Sequence, residues 1–91
     1  MEYTKGEWKL VQPASRQIEV LGYTGMIATL RLNSLMTPQE MQANAQLIAS
    51  APDLYEALIE LVAWYKARGF DRELPEYRNA EKALTKAEGG K

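Results

Sequence analysis

The sequence predicts an α+β domain: an N-terminal meander of three antiparallel strands packed on two to three C-terminal helices. Three observations predict it. Apolar residues alternate with period two over the first third of the chain. A helix-start signal, Thr37-Pro38-Gln39-Glu40, ends that regime. Beyond it the apolar spacing is helical to near the C-terminus. A block of strands followed by a block of helices is the α+β order.

The meander spans about residues 7–32. Trp8 and Leu10 alternate with Glu7 and Lys9, and Ile18 and Val20 with Gln17 and Glu19. Met26, Ala28, Leu30 and Leu32 alternate with Ile27, Thr29 and Arg31. The predicted inner face is therefore Trp8, Leu10, Ile18, Val20, Met26, Ala28, Leu30 and Leu32. Gln12-Pro13-Ala14-Ser15 and Gly22-Tyr23-Thr24-Gly25 are the turn signals. Connections this short favour antiparallel neighbours.

The helical part spans about residues 38–87. Thr37 and Glu40 suit a capping box, with Pro38 at the first helical position. The first helix is expected from Pro38 to about Ala49. Ser50-Ala51-Pro52-Asp53 reads as a break and a second start, because Pro52 has no N–H to continue the ladder. The second helix then runs to about Arg68, with Gly69 as its cap and Phe70 folding back on it. Asp71 to Leu74 is a short connection. Pro75 opens a third helix to about Ala87, and residues 88–91 read as a frayed end.

Composition removes whole classes of function. The chain has 91 residues, 46% hydrophobic and 25% charged, which suits one ordinary domain and argues against disorder. It holds no cysteine and no histidine. Disulfides, thiolate metal sites, cysteine nucleophiles and the commonest general base go with them. The net charge is −1 and no segment is strongly polarised, so no basic footprint for nucleic acid is present. The first ten residues lack a hydrophobic signal region, and the apolar run Leu61–Tyr65 is far too short to span a bilayer. The expectation is a soluble protein of the cytoplasm.

The helix faces carry more information than the motifs. Leu54, Tyr55, Ala57, Leu58, Leu61, Val62, Trp64 and Tyr65 fill about half the circumference of the second helix, with Ile59 widening the arc. A surface helix needs a narrower stripe. This helix is either central to the fold or meets another chain, and the central reading is the simpler. The third helix buries Tyr77, Ala80, Ala83, Leu84 and Ala87, leaving Arg78, Glu81, Lys82 and Lys86 in solvent. Three bases at helical spacing suit phosphates, but interleaved glutamates make plain surface the simpler reading. Asn44 lies between Met41, Leu47 and Ile48, so burial and a backbone hydrogen bond are expected for its amide, with a ligand-reading role as the alternative.

No catalytic constellation is present. Glu56 and Glu60 are one turn apart but on the wet side of their helix. Gly22-Tyr23-Thr24-Gly25 lacks the ending of a phosphate cradle, and Ser15, Ser34 and Ser50 have no histidine to activate them. No cofactor and no metal are expected. Trp8, Trp64, Tyr65 and Phe70 could make a stacking platform, but its basic groove is missing and core packing explains them better. Tyr3 and Tyr23 are the aromatics expected at the surface, where tyrosine marks interfaces.

The stretch Ala43-Asn44-Ala45-Gln46-Leu47-Ile48-Ala49-Ser50-Ala51-Pro52-Asp53-Leu54-Tyr55-Glu56-Ala57-Leu58 resembles a pattern, ANAxLIAxAPxLxEAL, of small accessory proteins of tailed bacteriophages and prophages. Gly6-Glu7-Trp8 and the segment Ala83–Gly89 resemble the ends of those proteins. Residues 21–36 match nothing in the pattern. The resemblance implies an accessory protein in the bacterial cytoplasm and supplies no catalytic residues. It favours a non-enzymatic protein that binds a host protein, with inhibition of a host defence component as one form. A nucleotide-signal-binding oligomer is the alternative, nucleic-acid binding ranks below it, and an enzyme comes last. A homodimer is compatible with each. The residues singled out for partner binding are Tyr3, Tyr23, Asn44, Trp64 and Arg78.

Overall fold

The computed structural model describes residues 2–69 and 74–90. The element order is β1 (Lys9–Ala14), β2 (Gln17–Gly22), β3 (Gly25–Arg31), α1 (Pro38–Ala67) and α2 (Pro75–Ala87). The three strands form one antiparallel sheet in the order β1-β2-β3, so the α+β class and the meander are present, followed by two helices. The chain divides into two compact units, with the boundary in the sequence between Pro52 and Asp53, and α1 contributes residues to both.

In the first unit the central strand carries the core. Ile18 and Val20 are buried on β2. Ile18 pairs with Leu30, and Val20 pairs with both Leu10 and Ala28. Ile18 packs with Met41 and Ala45 of α1, and Leu10, Leu30, Leu32 and Met36 pack around them. One predicted inner residue is wrong. The register of β2 on β3 shifts between Val20 and Leu21, which leaves Ile27 as an extra residue on β3. A bulge of this kind resets the alternation, and Met26 is exposed instead of buried. β1 also runs further than expected. It includes Pro13 and Ala14, and Ser15-Arg16 makes the turn. Proline is tolerated there because β1 is an edge strand.

The start of α1 forms as its sequence demands. The Thr37 Oγ1 accepts the Glu40 N–H at 3.0 Å, and the Glu40 carboxylate accepts the Thr37 N–H at 3.0 Å. The expected break at Ser50–Pro52 does not occur: α1 is one helix of 30 residues with Pro52 inside it. Pro52 is buried, and the helix runs for 14 residues before it and 15 after it. A proline costs one hydrogen bond and some clash, about 3 kcal/mol, which a long helix can absorb. Gly69 closes α1 at φ +74°, its N–H donating to the Lys66 carbonyl at 3.1 Å. The expected contact of Phe70 and most of the connection 71–74 lie outside the described residues.

In the second unit, α2 packs on the C-terminal part of α1. Tyr77 is buried, and Ala80 and Leu84 are half-buried. A small cavity of about 110 Å³ is lined by Leu61, Val62 and Tyr65 of α1 and Glu76, Tyr77 and Ala80 of α2. Ala83 and Ala87, expected on the apolar face, are exposed, so the packed stripe is narrower than predicted. The end of α2 is capped, not frayed. Gly89 has φ +84°, its N–H donates to Lys86 O, and the Gly90 N–H donates to Thr85 O at 2.8 Å. These are the paired bonds of a Schellman motif.

Candidate interaction surfaces

The five residues singled out from sequence fall in both units. Tyr3, Tyr23 and Asn44 belong to the first, and Trp64 and Arg78 to the second. The structure brings Tyr3 and Tyr23 to the same end of the sheet. Residues before β1 lie along the β2–β3 turn, where Thr4 Oγ1 and Thr24 Oγ1 are 3.5 Å apart. The Trp8 indole N–H donates to the Thr4 carbonyl at 2.9 Å, which ties the arm down. Gly22 is needed for this approach: a Cβ there would stand 2.9 Å from Thr4 Cγ2. The Lys5 ammonium sits 3.7 Å above the Tyr3 ring, a cation–π contact. Tyr23, at the tip, is 81% exposed. This end of the sheet thus presents Tyr23 and Met26 to solvent beside a half-buried Tyr3.

Asn44 is exposed on α1, so its amide needs no buried partner. The helical spacing around it was read correctly, but the face that meets the sheet is Met41 and Ala45. Trp64 is also exposed, at 46%, which overturns its assignment to the core; Trp8 and Tyr65 are half-buried. The Arg68 guanidinium lies 4.0 Å above the Trp64 ring, and the Tyr65 ring is 5.3 Å from it, tilted by 52°. A platform with Phe70 lies outside the described residues.

The apolar arc of residues 54–65 is only partly buried. Tyr55, Leu58, Val62 and Tyr65 are half-buried, while Leu54 and Leu61 are exposed. Leu47, further up α1, is exposed as well. The sequence reading missed that Leu47, Leu54 and Leu61 recur at intervals of seven, a signal that was there to find.

Arg78 is exposed on α2 and lines an open groove of about 630 Å³ with Glu81, Lys82, Thr85, Lys86 and Gly90. Glu81 accepts a hydrogen bond from the Tyr77 hydroxyl at 3.1 Å. The Tyr55 hydroxyl donates to the Glu88 carboxylate at 2.6 Å. That hydrogen bond, aided by desolvation and the charge of Glu88, raises the Tyr55 phenol above its ordinary value.

Among the described residues no group of three or more His, Cys, Asp or Glu is placed to hold a metal ion. No helix among them is long and apolar enough to cross a membrane. Comparison with curated proteins and with solved structures returns no significant match. Against protein families the outcome is different, and it agrees with a phage origin. Over residues 1–91 the chain matches the family described as Salmonella phage P22 protein Y8K6, and it belongs to that family of phage proteins.

Proposed function

We propose that this phage protein is a non-enzymatic accessory protein that acts by binding a protein of the bacterial host, an inhibitor of a host defence component being one such role. The observation that carries the reading is the uncovered end of the sheet, where Tyr23 and Met26 are exposed beside Tyr3 and Lys5. Aromatic side chains are efficient anchors, since they bring large contact area with few rotatable bonds to fix when a partner covers them. A tagged pull-down from host lysate, with bound proteins identified by mass spectrometry, tests it. One stoichiometric host protein, lost with Tyr23→Ser, is expected. Retention of that partner by Tyr23→Ser would move the interface elsewhere, and a blank under all conditions would remove the reading.

A second reading is a nucleotide-signal binder. It is favoured by the α2 groove, where Arg78, Lys82 and Lys86 share one side. A thermal-shift screen against nucleotides tests it, because a ligand of the folded state raises the melting temperature. No stabilisation by any nucleotide would end it.

A further inference from the structure

We propose that Arg78, Lys82 and Lys86 form a docking row on α2 for an acidic helical segment of a partner protein. The row is separate from the end of the sheet that carries the host-binding reading. It lies in the groove that the nucleotide reading also uses.

Spacing sets the row. Arg78, Lys82 and Lys86 stand four residues apart on α2, and all three are exposed. Four residues carry a helix roughly 40° past a full turn and roughly 6 Å along its axis, so the three bases line up over roughly 12 Å. They lie roughly 100–180° round the helix from the buried Tyr77. Glu81 and Thr85 make the neighbouring ridge, and both ridges line the groove of about 630 Å³. Gly90 closes its end. The Gly90 N–H donates to the Thr85 carbonyl at 2.8 Å, and a Cβ there would stand 2.6 Å from Thr85 Cγ2.

The acids of this segment do not cancel the row. The Glu81 carboxylate accepts the hydroxyl of buried Tyr77 at 3.1 Å. The Glu88 carboxylate accepts the hydroxyl of Tyr55 on α1 at 2.6 Å. Glu76 lines the small cavity shared with α1, beside Tyr65 and Tyr77. All three glutamates are thus engaged at or beside the side of α2 that packs on α1. Among the described residues no carboxylate pairs with Arg78, Lys82 or Lys86. Interleaved in the sequence, the charges are sorted in the fold: acids toward the packing, bases along one outer row.

Charge and spacing select the occupant. A helix with Asp or Glu at every fourth position repeats its carboxylates at the same roughly 6 Å. Its ridge of side chains also suits a groove between two ridges of α2. Three charge-assisted contacts can then form in register. Nucleic acid fits less well. A single strand calls for aromatic side chains beside its bases, and none of the described residues lining the groove is aromatic. A duplex calls for a broad basic surface, whereas the chain has a net charge of −1 and Glu81 stands in the groove wall. An acidic protein segment accommodates Glu81, because it can place a base opposite that one acid.

Nuclear magnetic resonance of the full-length chain, labelled with 15N, reads the row directly. Two helical peptides of one composition, built on alanine and glutamine, serve as probes. One has glutamates at i, i+4 and i+8; the other has its three glutamates on different faces. The first is expected to shift the amides of residues 78–90 and to bind ~5-fold more tightly than the second, since each exposed ion pair contributes a factor of about 1.5 to 5. Binding should weaken as salt rises from about 50 to about 300 mM. Lys82→Glu should remove the preference for the first peptide. Lys66→Glu, the same change of charge on α1, should leave it intact. Equal binding of the two peptides, a preference that survives Lys82→Glu, its loss in Lys66→Glu, or no shift at 78–90 would each overturn the row. ATP and oligothymidylate are titrated in the same way. Tighter binding of ATP at these amides would give the groove to the nucleotide reading, and tighter binding of oligothymidylate would give it to nucleic acid; either result sinks the proposal. The Tyr23→Ser pull-down tests the end of the sheet and stands or falls independently of these results.

Discussion

Thr37 and Glu40 exchange hydrogen bonds at the start of α1, and each satisfies a backbone N–H that the helix leaves open. Thr37→Ala should lower stability by about 1 kcal/mol, read as a fall in the melting temperature. At the other end of the helical part, Tyr55 and Glu88 make a contact that responds to pH. The phenol is raised in the folded state by its bond to the Glu88 carboxylate. A raised acid stabilises the fold fully below its unfolded value of roughly 10 and loses that effect as pH climbs through the folded value. Absorbance titration near 295 nm, as the difference between wild type and Tyr55→Phe, should show one late-titrating tyrosine. Glu88→Gln should bring it back toward the ordinary value. An unchanged titration in Glu88→Gln would remove Glu88 as the cause.

The elements show what was legible in the sequence and what was not. The capping box and the Gly69 cap depend on residues within a turn of one another, so spacing alone revealed them. The same holds for the inner residues of β2, Ile18 and Val20. Met26 was misread because a bulge is a property of the pairing between β2 and β3, and alternation along one strand does not contain it. Pro52 was misread because a local penalty was taken as decisive. A helix of 30 residues gains enough along its length to keep one proline. Pro52→Ala should therefore raise the melting temperature, by about 1–3 kcal/mol in stability, the restored helical bond outweighing the lost burial of the ring. A lower melting temperature would mean that the packing of the ring matters more. The apolar arc of residues 54–65 was seen, but an arc has only a width. What covers it is a tertiary fact.

At the scale of the whole molecule, buried apolar residues are few: Ile18, Val20, Met41, Ala45 and Tyr77 are the buried hydrophobics among those described. Tyr3 and Tyr23, far apart in sequence, share one end of the sheet through the contact between Thr4 and Thr24, which no periodicity could announce.

The sheet has two outer strands, β1 and β3, whose free backbone groups would ordinarily invite another strand to add on. Pro13 removes a donor from β1, and the extra residue Ile27 bends β3. Both rims are therefore poor templates for strand addition. The sheet is guarded against edge-to-edge polymerisation, and its exposed side chains offer more for recognition than its backbone ladder.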